Sequence, residues 1–339
     1  MAEKHLGKAS IALKNPPSII ASAAIAGVKE GEGPLAKYYD EILSDDLYDE
    51  QTWEKAESKL QKSALQTVIS KSNLSTSDID YVFAGDLLNQ CSGSHYAMKD
   101  NSLPFFGLYG ACSTMAESSS LAAMAIDGGY ADNCIALTSS HFCSSEKQYR
   151  FPLEYGGQRP PTAQWTVTGS GALMLSKNGD GPYITHITTG KIIDMGINDA
   201  NNMGAAMAPA AVDTIVTHFE DTGFKPSDYD LIVTGDLASV GTDIARELIC
   251  ASGYDVSKNF NDCGNMVFNT SAQDVHAGGS GCGCSAIVFC GYLLEMIKNG
   301  TLNRVMLVGT GALMSPLNLL QGENIPGIAH AITVQRRIG

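Results

Sequence analysis

The chain has 339 residues, of which 22 are Lys or Arg and 36 are Asp or Glu, for a net charge of −14. Only 17% are charged and 35 are glycine, a composition of tight turns and multiply buried elements that excludes disorder and coiled coil. With no basic run, it excludes nucleic acid as a partner and direct adhesion to an anionic bilayer.

The length suits about two domains. Ile19 to Val28 is the longest apolar stretch near the N-terminus. It is too short for the ~20 residues of a membrane span and lacks the ordered regions of a signal peptide, so a soluble, cytoplasmic chain is expected. The nine cysteines show no paired C-x-x-C spacing, which fits a reducing compartment. Cys282 and Cys284 have no second ligand pair at metal-binding spacing, so neither a metal nor a cofactor is expected.

Residues 64–72 (ALQTVISKS) carry a helical period, and 77–87 (SDIDYVFAGDL) turn at Ser-Asp into a short apolar strand ended by Asp86. After a loop, 88–103, a helix is predicted over 112–127. Its only charges are Glu117 and Asp127, so it reads as buried on all sides. Cys112 falls in its first turn, where unpaired amides and the dipole lower a thiol's pKa. The other reading is an inert buried cysteine, as most free cysteines are. A strand follows at 134–140, and His141 and Cys143 stand at its C-terminal end, where open α/β sheets hold ligands. They read equally as an ordinary loop pair. The Pro- and Gly-rich loop 141–164 is long enough to cover a site. Within it Arg159 is either the nearest cation for a carboxylate ligand or a surface arginine.

Past a turn at 178–183 the pattern starts again. A helical stretch, 211–219 (AVDTIVTHF), precedes 227–237 (SDYDLIVTGDL), which matches 77–87 at six of eleven positions. A Cys-Ser pair then opens a helix at 283–300, as Cys112-Ser113 opens the first, and each helix closes on glycine before an apolar strand. The order helix–strand–helix–strand therefore occurs twice, which predicts two α/β halves with mainly parallel strands, 1–180 and 181–339. The Gly-Asp pairs ending in Asp86 and Asp236 are equivalent. Both are helix caps, or Asp86, in the half with Cys112, belongs to a site. The loop 257–280 and the run GGSGCGCS (278–285) complete the second half. That run follows a polar segment rather than a strand, which argues against a dinucleotide loop.

An α/β duplication with a cysteine heading the buried helix of its first half resembles the thiolase superfamily, which includes the type III ketoacyl synthases. TVTGSGALMLS (166–176) is similar to a strand of those enzymes, with Ser170 in place of their acid, and MLVGTGALMS (306–315) to their closing strand. Within the superfamily, EYGGQRPPTAQWTVTGSGA and GGSGCGCSA resemble the stage V sporulation protein AD family. The likeness covers roughly residues 15–335. It implies a layered α-β-α-β-α fold around a central pair of buried helices, a homodimer formed through the sheet edge, and Cys112 at the position of the nucleophile.

Condensing enzymes of that fold also need His with Asn, or two His, from the second half to hold the enolate oxyanion and move the proton. Here TGDLAS (234–239) has no His, and Ser280 stands where Asn or His belongs. The seven histidines, 5, 95, 141, 186, 218, 276 and 330, miss both places. Asp236 as a base would repel an enolate. The resemblance therefore implies a catalytically degenerate protein with a vestigial nucleophile. Its pocket would bind dipicolinic acid through Asp86, Cys112, His141, Arg159 and Ser280. It would act with spore membrane transport proteins of the same operon, peripherally at the inner spore membrane, in uptake by the forespore. The alternative is an active acyl-condensing enzyme with Cys112 as nucleophile and His276 or His141 as helper.

Overall fold

Short apolar runs alternating with small-residue helices produce one strand order twice. The computed structural model describes residues 3–149 and 158–338, so 150–157 of the predicted covering loop lie outside the described residues. The first five main strands are β1 (Ser18–Ala26), β2 (Tyr81–Gly85), β3 (Phe105–Leu108), β4 (Asn133–Ser140) and β5 (Gly169–Ser176). The next five are β6 (Tyr183–Thr189), β7 (Leu231–Thr234), β8 (Phe260–Asp262), β9 (Arg304–Ala312) and β10 (Gly327–Gln335). Their spatial orders are β3-β2-β4-β5-β1 and β8-β7-β9-β10-β6. In each set the second strand pairs parallel with the third and fourth, and the fifth runs antiparallel to both its neighbours.

Both faces of these strands are covered, so they read as near-continuous apolar runs rather than alternating ones. Along β4, Ile135 and Leu137 turn outward to Leu60, Leu65 and Val68 of α1 (Trp53–Ser72). Cys134 and Ala136 turn to a central layer. Beyond α2 (Ser92–Met98), that layer is built from α3 (Thr114–Asp127) and α7 (Cys282–Ile287), which continues through a π-helical segment, Val288–Leu293, to Lys298. The short α4 (Phe142–Tyr149) follows β4. On the far side, α5 (Met203–Thr222) and α6 (Ala238–Ala251) cover Met306 and Val308 of β9, while Val305 and Leu307 face the centre. Among the described residues no helix is long and apolar enough to cross a membrane.

Two expectations about α3 change. It starts at Thr114, with Ser113 as its cap, so Cys112 precedes the helix rather than joining its first turn. Nor is it buried on every side: Met124 is 44% exposed, and Leu121 and Ala125 are half-buried.

Glycines let the chain ahead of α3 press on β9. A Cβ at Gly311 would lie 2.5 Å from the carbonyl oxygen of Gly110, and one at Gly309 would lie 2.9 Å from that of Ser113. Neither carbonyl can withdraw without moving the turn that carries Cys112. Gly311→Ala is therefore expected to lower stability by about 1–3 kcal/mol, read from the midpoint and slope of urea unfolding.

Candidate functional site

The turn Gly110-Ala111-Cys112-Ser113 is shaped by its own polar groups. Ser113 donates its N–H and its Oγ–H to the Gly110 carbonyl, at 3.1 and 2.6 Å. The Thr114 hydroxyl and the Cys282 thiol both reach the Ala111 carbonyl, at 2.7 and 3.0 Å. Ala111 is held at φ 48°, a left-handed conformation that costs an alanine strain. The result is a Cys112 side chain turned inward and only 6% exposed.

Its partner is Asp236, which follows β7 and is fully buried. Asp236 accepts from the Thr310 hydroxyl at 2.6 Å, the Gly281 N–H at 2.9 Å and the Ser280 hydroxyl at 3.1 Å. The Cys112 thiol lies near enough for the carboxylate to act on it. The loop around it is fixed from behind. Asp262 accepts the N–H groups of Leu237 and Ala238, both at 2.8 Å, and the Thr234 hydroxyl at 2.6 Å.

Burial first, and then the Asp236 carboxylate, push the Cys112 thiol well above its usual range. Of the two readings of Cys112 in the sequence, this supports the inert buried cysteine over the activated thiol. A helix N-terminus lowers a thiol's pKa only when the amides face the sulfur. Here the sulfur faces a carboxylate, and the one backbone donor acting on it, Gly281, is a smaller effect. Burial likewise raises the Asp236 carboxyl above the usual carboxylate range.

Cys112 opens on a cavity of about 70 Å³. Ser280, Tyr109, Tyr149, Ser145 and Glu146 share its wall, with Leu87, Met203 and Met314 among the apolar parts. Among the described residues no Lys, Arg or His lines it. Tyr149 donates its hydroxyl to the Leu87 carbonyl at 2.6 Å, and Tyr109 meets Tyr149 oxygen to oxygen at 3.0 Å.

The structure thus brings Cys112 and Ser280 together and places the other candidates elsewhere. Asp86 accepts the Leu88 and Ser94 N–H groups, at 2.9 and 2.7 Å, and the Ser94 hydroxyl at 2.6 Å, and so braces the start of α2. His141 is fully buried, with Nε2 donating to the Asp46 carbonyl at 2.8 Å and Nδ1 accepting the Cys143 N–H at 3.2 Å. Burial lowers its pKa, so it is neutral. Arg159 stands one layer behind the wall. It pairs with Glu146 at 2.5 Å, donates to the Gln164 carbonyl at 3.0 Å, and lies over the Phe142 and Trp165 rings. His276 lies outside the lining, 3.6 Å from Asp274. Tyr109 had no signal in the sequence, and Ser145, Glu146 and Tyr149 had only their place in the covering segment 141–164, with nothing to single them out. Asp236 had one, its place after the strand where a histidine was sought.

Comparison with known proteins agrees with this geometry. A family model described as stage V sporulation protein AD matches residues 7–335. Stage V sporulation protein AD of Bacillus subtilis (strain 168) is 43% identical over 336 residues, 99% of each chain. Among solved structures, cerulenin-bound OleA of Xanthomonas campestris superposes with a TM-score of 0.61 at 16% identity, covering 96% of this chain and 100% of that one. The 3-oxoacyl-[acyl-carrier-protein] synthase III of Aquifex aeolicus VF5 does so with a TM-score of 0.54 at 14% identity, over 94% and 99%. The fold is that of these thiolase-like proteins.

The position of Cys112 makes its chemistry testable. At pH 8 iodoacetamide is expected to alkylate it at least ~10-fold more slowly than an ordinary thiol of pKa ~8.5. Exposed Cys250 serves as the internal comparison. Asp236→Asn removes the second cause of the shift and is expected to speed alkylation of Cys112, measured by peptide mass spectrometry. Equal rates at Cys112 and Cys250 in the unmodified chain would refute the protonated-thiol description.

Proposed function

The chain belongs to the stage V sporulation protein AD family, and from that premise we propose that it has exchanged catalysis for binding. On this reading its pocket takes dipicolinic acid, pyridine-2,6-dicarboxylate, and the protein takes part in moving that acid into the developing spore. One observation carries the proposal. Where a condensing enzyme of this fold would present an imidazole and an amide, the sulfur of Cys112 meets Asp236 and Ser280. A carboxylate beside the sulfur keeps the thiol protonated and would repel an enolate. Each missing acid–base partner typically costs ~10²–10⁴-fold in rate, and missing oxyanion donors cost a further ~10²–10³-fold.

The walls support a small polar ligand held by short-range contacts. A net charge of −14 gives no long-range attraction for a dianion. Hydroxyls line the cavity, and Arg159 is reached through Glu146. In this proposal a ligand carboxylate takes over the guanidinium as Glu146 gives it up, an exchange of one charge-assisted pair for another. Attachment at the inner spore membrane would come through membrane proteins of the same operon. A homodimer is part of the same proposal. Edge strand β3 carries Phe106, 51% exposed, and α3 offers Met124, 44% exposed.

A second reading, an acyl-condensing enzyme, is favoured by the survival of Cys112 in a cavity of this fold. The two part cleanly in experiment. A binding protein is expected to melt later in millimolar dipicolinate, by about 2.7 kcal/mol of added stability at a ligand concentration 100-fold above Kd. It takes no acyl group from acyl-coenzyme A. Glu146→Gln, which keeps the shape and removes the competing charge, is expected to tighten binding. No thermal shift, or acyl transfer that disappears in Cys112→Ala, would count against the proposal. Sedimentation of Phe106→Asp, expected to give monomers, tests the dimer.

A further inference from the structure

We propose that Ser145 anchors the ligand in the Cys112 cavity by donating its hydroxyl to a ligand carboxylate oxygen. The inference rests on the dipicolinate reading and adds the residue that fixes the ligand's position. Ser145 is 3% exposed, and its Oγ, closed off from solvent, has no hydrogen-bond partner among the described residues. The residue itself is part of the cavity wall. A buried hydroxyl left unpaired is a net cost to folding, and such atoms in native proteins call for a reason.

The neighbouring residue shows what a satisfied serine looks like here. Ser144, one position earlier on α4, donates to the buried Glu57 carboxyl at 2.6 Å. Rotation along the helix turns Ser144 into the body of the protein and Ser145 toward the cavity. Three other hydroxyls at the wall are committed. Tyr149 donates to the Leu87 carbonyl, Tyr109 meets Tyr149, and Ser280 donates to Asp236. Ser145 is also flanked by Glu146, whose carboxylate pairs with Arg159. Because Ser145 and Glu146 both line the cavity, a ligand carboxylate there that takes over Arg159 from Glu146 shares its wall with the Ser145 side chain.

The test compares two alanine variants of the whole protein by thermal melting and by titration with dipicolinate. Ser145→Ala removes an unpaired buried hydroxyl, so its ligand-free melting temperature is expected to stay or rise. Its affinity for dipicolinate is expected to fall about 10- to 100-fold, as for a lost hydrogen bond to a charged group. Ser144→Ala breaks a made bond and is expected to melt earlier without ligand while binding dipicolinate as the wild type does. Equal affinity in Ser145→Ala and wild type overturns the anchor alone. So does a ligand-free melting temperature that falls as far as in Ser144→Ala. A wild-type protein that ignores dipicolinate overturns both the anchor and the reading beneath it.

Discussion

The carboxylate of Asp236 lies where three separated parts of the chain meet, and its donors are all neutral. Thr310 comes from the central strand β9, and Ser280 and Gly281 come from the turn before α7, while the turn before α3 brings the Cys112 thiol near the same carboxylate. A buried carboxylate is tolerated only when hydrogen bonds replace its hydration. Here each of those bonds also fixes a backbone turn. The geometry of the cavity follows from keeping that one group satisfied.

The same group decides the character of the sulfur. A thiol beside a carboxylate in a dry site is held in its protonated form from both directions, because charge on sulfur is penalised by burial and again by repulsion. The fold around it is that of acyl-handling enzymes, but fold and function are separable. On the proposed reading, what separates them here is a single exchange of polarity. An imidazole beside the sulfur stabilises the thiolate, whereas a carboxylate stabilises the thiol.

The duplication explains why one half came to carry the site and the other to serve it. Asp86 and Asp236 stand after equivalent strands and face different surroundings. Asp86 meets the amides of its own following segment and braces α2. Asp236 meets side chains from the middle of the molecule, while Asp262 takes over the neighbouring amides. A symmetric scaffold thus hands one carboxylate a structural task and frees its counterpart for the cavity.

The repeat, the doubled order of elements along the chain and the buried helix pair were legible in the sequence, because they rest on local periodicity and on the doubled Ser-Asp and Cys-Ser signals; the spatial strand order and its antiparallel pairs were not. Cys112 and Ser280 were legible for the same reason, each being tied to a motif at a helix start. Four cavity residues, Tyr109, Ser145, Glu146 and Tyr149, were not. Nothing in their neighbourhoods distinguishes Ser145 from Ser144, and only packing determines that one finds Glu57 and the other an open space. Arg159 and His141 were plausible as loop residues near a strand end, but the third dimension gave each an internal partner. Sequence alone determined the doubled order of the main helices and strands, since that depends on near neighbours, although α2 and α4 form inside segments read as loops. Tertiary structure alone decided which polar atoms find a partner within the protein and which do not, since that depends on groups far apart in the chain, such as Ser144 and Glu57 or His141 and Asp46.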